Sequence, residues 1–145
     1  MGLADGLLRG IGPRETNNVI SSATTSATAD LIVAAPSLPF DGNTWIKIRF
    51  GHTAWGQSTT GVINHVGLFD NGTLLGSLWN GAAWGSPEGQ SGGKFCRRLK
   101  PSAGSHLFDV RSWVQSGTLT IAGGADPGSP ANDLPNYLLI TNDPF

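Results

Sequence analysis

The residues able to do chemistry are few and scattered. His52, His65 and His106 fall in three separate segments, with no cysteine or glutamate at the fixed offsets that build a metal site, so no metal or other cofactor is expected. Eight aspartates and two glutamates are present, yet no two flank a motif associated with glycoside hydrolysis. Asp109 and Arg111 lie two apart on one strand face, a spacing that favours a structural ion pair. No Gly-x-x-x-x-Gly-Lys phosphate cradle occurs, and nothing compels an enzyme. Trp55 and Trp84 each stand in a stretch of small polar residues, where an indole can stack on a sugar, fill a partner's pocket, or fold inward to plug one end of a β-sandwich. They are the candidate ligand or partner contacts.

Lys94, Arg97, Arg98 and Lys100 form the one basic cluster. On a strand, Lys94, Arg98 and Lys100 share a side and Arg97 takes the other. This is either a solvated edge that discourages strand pairing or a contact for an acidic patch on a partner. A net charge of -1 lacks the electrostatic footprint of a nucleic-acid binder. The lone Cys96 can form no internal disulfide and is expected as a small buried residue. No apolar run reaches membrane-spanning length, no secretory signal pattern opens the chain, and Gly6 stands where myristoylation wants Ser or Thr.

The elements that must hold these residues are strands. With Gly 21 and Pro 9 in 145 residues and only 13% charged residues, the composition describes one domain of short strands, tight turns and an uncharged polar surface. Phe108, Val110, Ser112 and Val114 alternate into one face, and Ser116-Gly117 predicts a hairpin to the strand around Leu119 and Ile121. Leu31 and Val33 predict a strand buried on both sides, and Ile46, Ile48 and Phe50 a half-buried one. A loop is expected around Trp55 and another from Asn80 to Gly93. Asn71-Gly72 predicts a hairpin that pairs Gly67 with Gly76 and His65 with Leu78, leaving a dent for an aromatic ring. His106 is expected to tie down the turn from Pro101 to Gly104. In the last strand, Tyr137 and Leu139 share one face and Leu138 and Ile140 the other; both faces want burial, which argues for a covering subunit. Residues 1–16 read as an N-terminal arm, with Leu3, Leu7, Leu8 and Ile11 at helical spacing but interrupted by glycines, and 17–145 as the β-domain.

The run PSAGSHLFDVRSWVQSGTLTIAGG, a polar Gly/Pro loop and LPNYLLITND together resemble a family of small virion domains of tailed bacteriophages, seen mostly in phages of actinobacteria. Pro101, Gly104, His106, Arg111, Trp113, Ser116, Gly117 and the strand from Leu138 to Thr141 carry the resemblance. Members are head decoration or minor tail proteins. The resemblance implies a jelly-roll sandwich, a homotrimer and no enzymatic activity.

The expectation is therefore an all-β, antiparallel, jelly-roll-like sandwich of about eight strands. Its expected work is that of a trimeric decoration (cement) protein, assembled in the host cytoplasm and bound to the major capsid protein on the outside of a phage head, with no nucleic-acid or membrane partner. Trp113, Tyr137 and Leu139 are the expected trimer contacts, and the arm the expected capsid-docking element. The alternative is a receptor- or glycan-binding tip domain of a tail fibre or minor tail protein, working through Trp55 and Trp84.

Overall fold

Alternation of apolar and polar residues, broken by glycine and proline, cuts the chain into short strands. A computed structural model describes residues 19–52, 54–59, 61–82, 90–91, 93–122 and 136–143; Leu3, Leu7, Leu8, Ile11 and Trp84 lie outside the described residues. The strands are β1 (Val19–Ser21), β2 (Asp30–Ala34), β3 (Leu38–Asp41), β4 (Ile46–Gly51), β5 (Ala54–Gln57), β6 (Ile63–Asp70), β7 (Thr73–Ala82), β8 (Gln90–Ser91), β9 (Lys94–Leu99), β10 (Ala103–His106), β11 (Phe108–Val114), β12 (Leu119–Ala122) and β13 (Tyr137–Asn142). They pair antiparallel in the orders β2-β11-β6-β7, β13-β4-β9, β1-β12-β5-β8 and β10-β3. This is the expected all-β sandwich, divided into more strands than the eight or so anticipated.

One core fills the space between the layers. Val33, Val110 and Leu68 from the first sheet meet Ile48, Phe50, Leu138 and Ile140 from the second and Leu119 and Ile121 from the third. The alternating residues Phe108, Val110, Ser112 and Val114 are all buried, as their spacing predicts. Each sheet thus turns one face inward, leaving the other outward.

Two turns show local chemistry deciding geometry. Asn71 (φ 48°) and Gly72 (φ 82°) both take the left-handed backbone of a two-residue hairpin turn. The amide of Asn71 also donates to the Ser105 carbonyl (3.1 Å) and accepts from Leu107 N–H (3.1 Å), fastening the tip to the β10–β11 connection. After Asp41, the carboxylate accepts from the N–H groups of Asn43 (2.7 Å) and Thr44 (2.9 Å), while Gly42 supplies a φ of 78°.

Four expectations are corrected. β11 and β12 are not a hairpin: the Ser116-Gly117 corner carries the chain from one sheet to another, because Val114 and Leu119 enter the same core from different layers. Thr118 N–H donates to Ser58 Oγ (2.8 Å) and holds that corner. The segment around Trp55 is strand β5, not a loop. β2 is not buried on both sides: a bulge opposite Val110 and Arg111 turns both Ile32 and Val33 inward and leaves Leu31 50% exposed. Finally, bulges in the β6–β7 hairpin shift the register, so that Gly67 faces Ser77 and His65 faces Asn80.

Candidate functional site

The two outer faces of the sandwich differ in kind. On the β2-β11-β6-β7 sheet, the outward residues of the central strands are Asp109, Arg111 and Trp113 beside Phe69, Gly67 and His65. Gly67 leaves the dent foreseen for it, and Trp113 of the neighbouring strand fills it together with Leu74: a Cβ on Gly67 would come within 2.8 Å of each. His65 stacks on Trp113 with centroids 4.9 Å apart and rings 6° from parallel, and its Nδ1–H donates to Asn80 Oδ1 (2.9 Å). Asp109 and Arg111 form a bidentate pair, both contacts 2.8 Å, with the guanidinium 4.9 Å above the Phe69 ring. The hydrogen bonds from Arg111 to Asp109 hold the guanidinium proton more tightly than usual, against the opposing effect of burial. Around this closed centre, Leu31, Ile63 (45%) and Leu74 (38%) stand exposed.

The outer face of β13-β4-β9 is basic. Its register aligns Thr141, Lys47 and Arg98 in one row, Leu139, Arg49 and Cys96 in the next, and Tyr137, Gly51 and Lys94 in the third. Asp143 bridges Lys47 (3.4 Å) and Arg98 (2.6 Å), and Arg98 also covers the Trp45 ring at 4.6 Å. Arg49 and Lys94 are exposed and make no ion pair with any described residue. Half-buried Tyr137 and Leu139 lie to one side of these cations, on the edge strand β13. Tyr137 packs over Gly51, where a Cβ would collide with the ring. Arg97 points to the opposite side of the edge strand β9, into a cleft of about 350 Å³ that it lines with Asp70, Leu75, Lys100, Ser102 and His106.

That cleft contains the arrangement closest to a catalytic relay. His106 Nδ1–H donates to Asp70 Oδ2 at 2.6 Å, and Ser102 Oγ lies 3.3 Å from Nε2. A serine nucleophile needs that nitrogen to itself, whereas the Ser102 carbonyl oxygen also lies 3.1 Å from it. The ring is further fixed by stacking on Phe108 (5.8 Å) and meeting Phe40 edge-on (5.6 Å). The geometry is that of a clamp joining the β9–β10 connection to the β6–β7 hairpin. It includes the expected tie to the Pro101–Gly104 turn; Asp70, 36 positions away, gave no sequence signal. The sequence is expected to lack a Gly-x-Ser-x-Gly nucleophile elbow, but Gly89-x-Ser91-x-Gly93 has that spacing, which corrects the expectation; a hydrolase elbow further requires a strand leading into a helix. Here Gln90–Ser91 is the short strand β8, and the next element described is strand β9.

The singled-out residues therefore separate. Trp55 is a core residue, 8% exposed and 4.6 Å from the Trp79 ring, which corrects its candidacy as a ligand contact and favours the inward alternative. Trp113 is 9% exposed and packed within its own chain, so it supports its face from beneath instead of offering a free indole to a neighbour. Tyr137 and Leu139 lie on the other outer face. Cys96 is exposed, not buried, because its strand forms the sheet edge and the inward positions go to Phe95 and Leu99. Sequence reasoning missed Lys47 and Arg49: strand pairing, not chain proximity, brings them beside Lys94 and Arg98. Their alternation with Ile46, Ile48 and Phe50 was the available signal.

Comparison with known proteins adds little. No family model matches the chain, and no curated protein matches it. Among solved structures it is similar to dimeric latent PorU from Porphyromonas gingivalis, with 13% identity and a TM-score of 0.45 over 88% of this chain and 12% of that one. The chain thus spans about an eighth of PorU, and the likeness is too slight to bear on function.

Proposed function

We propose that this chain is a structural subunit of a tailed-phage virion, a trimeric decoration protein on the outer surface of the head. The observation that carries this reading is the outer face of β2-β11-β6-β7. Leu31, Ile63 and Leu74 are exposed there around a centre whose one ion pair among the described residues, Asp109 with Arg111, is internally neutralised. An apolar face with its charges internally paired suits burial against a like copy. Residues that carry the resemblance serve the fold here: His106 clamps, Arg111 pairs, Trp113 fills the Gly67 dent and Gly117 turns a corner at φ 75°. That division of labour fits a part whose work is mechanical.

In this reading the self-contact lies on the Trp113 face. Tyr137 and Leu139, expected at the same contact, sit on a face that also carries Arg49 and Lys94, where three copies converging on a shared axis would bring cations together. A trimer seated where capsomers meet touches several coat subunits at once, so modest contacts add through shared geometry. The test is to mix the protein with heads that lack it and count bound copies by sedimentation. A saturating number set by icosahedral symmetry is expected; no binding, or binding without saturation, would overturn the reading.

A further inference from the structure

We infer that the basic face of β13-β4-β9 is the side that meets the head, and that it docks against an acidic protein surface of a different subunit. The inference rests on the reading of the chain as a head-decorating subunit and names the partner chemistry of that contact. Of the nine Lys and Arg residues in a chain of net charge -1, Lys47, Arg49, Lys94, Arg97, Arg98 and Lys100 belong to β4, β9 and the residue after β9. Asp143 is the only acidic residue that pairs with any of them among the described residues, and it is shared by Lys47 and Arg98. Arg49, Lys94, Arg97 and Lys100 are left exposed without an ion-pair partner among the described residues. Such a concentration of one sign on a nearly neutral chain has an energetic cost unless something of opposite sign approaches it.

The pattern selects among anionic partners. Tyr137 and Leu139 form a half-buried apolar strip on the edge strand β13, with Arg49 of β4 beside them, Lys94 beyond it on β9 and Lys100 just past the end of β9, while Arg97 points to the opposite side, into the cleft. An apolar strip set alongside cations offers a protein partner both kinds of contact, whereas a nucleic-acid surface tracks phosphates along a continuous basic groove. A second copy of the same face is disfavoured by charge, so the complement is a different surface that carries carboxylates beside an apolar contact.

The exposed Cys96, the chain's one cysteine, lies in the row with Arg49 and Leu139 and gives a native handle on the face. The experiment compares attachment to heads lacking the protein for three preparations: unmodified protein, protein carrying a bulky maleimide on Cys96, and the R49E/K94E/K100E variant. Circular dichroism and solution mass are recorded for each. Both altered preparations are expected to keep the fold and mass but to attach at least tenfold more weakly, and attachment of the unmodified protein is expected to weaken steeply with added salt. If all three attach equally, the inference is overturned while the decoration reading stands. If the unmodified protein retains linear DNA and ignores heads, or ignores both, the decoration reading and this inference fail together.

Discussion

The two outer faces are built from the same strand geometry and end in opposite chemistry. On the first, neighbours complete one another: across strands Trp113 fills Gly67 and His65 covers Trp113, and along β11 Arg111 neutralises Asp109. On the second, cations outnumber carboxylates: Lys47 and Arg98 share Asp143, and Arg49 and Lys94 pair with no described acidic residue. A face whose residues satisfy each other contributes stability and leaves an apolar surface. A face left with unpaired cations gives up some stability and keeps a field for a partner.

Substitutions should therefore register differently on the two faces. Trp113→Ala should have the largest effect, a loss of about 3–5 kcal/mol read from urea unfolding, because it empties a packed site. Arg111→Ala should cost roughly 3 kcal/mol by leaving Asp109 buried without its cation, whereas Lys94→Ala should stay within about 0.5 kcal/mol of the parent. Equal costs at Arg111 and Lys94 would remove the distinction. Gly67→Ala should cost about 1–3 kcal/mol, since the added methyl meets Trp113 and Leu74.

The smallest effect concerns acid stability at the end of the first face. Burial raises the Asp30 pKa, but the Ala23 N–H (3.0 Å), the Ser21 side chain and the Ser22 N–H (2.9 Å) together outweigh it and leave the carboxyl below its ordinary value. A carboxyl depressed in the folded state adds stability above its unfolded pKa, and that stability is lost as pH falls from there through the folded value. Asp30→Asn should flatten the acid limb of stability against pH without moving the neutral plateau by more than about 1 kcal/mol. An unchanged acid limb would show that the Ser22 and Ala23 contacts do not hold the carboxylate.

Strands and turns were legible where a local rule operated. Alternation in Phe108–Val114 and Ile46–Phe50 gave the buried faces, Asn71-Gly72 gave a hairpin, and the two-residue offset of Asp109 and Arg111 gave their pair. What escaped was set by partners distant in sequence. Ser116-Gly117 has the composition of a hairpin turn, but Ser58 and the shared core make it a corner between sheets. The bulges of β6–β7 moved Gly67 away from Gly76, and only the fold could supply Trp113 as the filler. The basic face was half visible, because the cluster on β9 is contiguous in sequence while its continuation on β4 depends on strand register.

Solution mass bears most directly on the assignment of one face to self-contact and the other to a foreign partner. At micromolar concentration the parent chain and Leu139→Glu should both weigh three chain masses, and L31E/L74E should weigh one. A monomeric parent, or a trimer broken by Leu139→Glu and indifferent to L31E/L74E, would contradict the account.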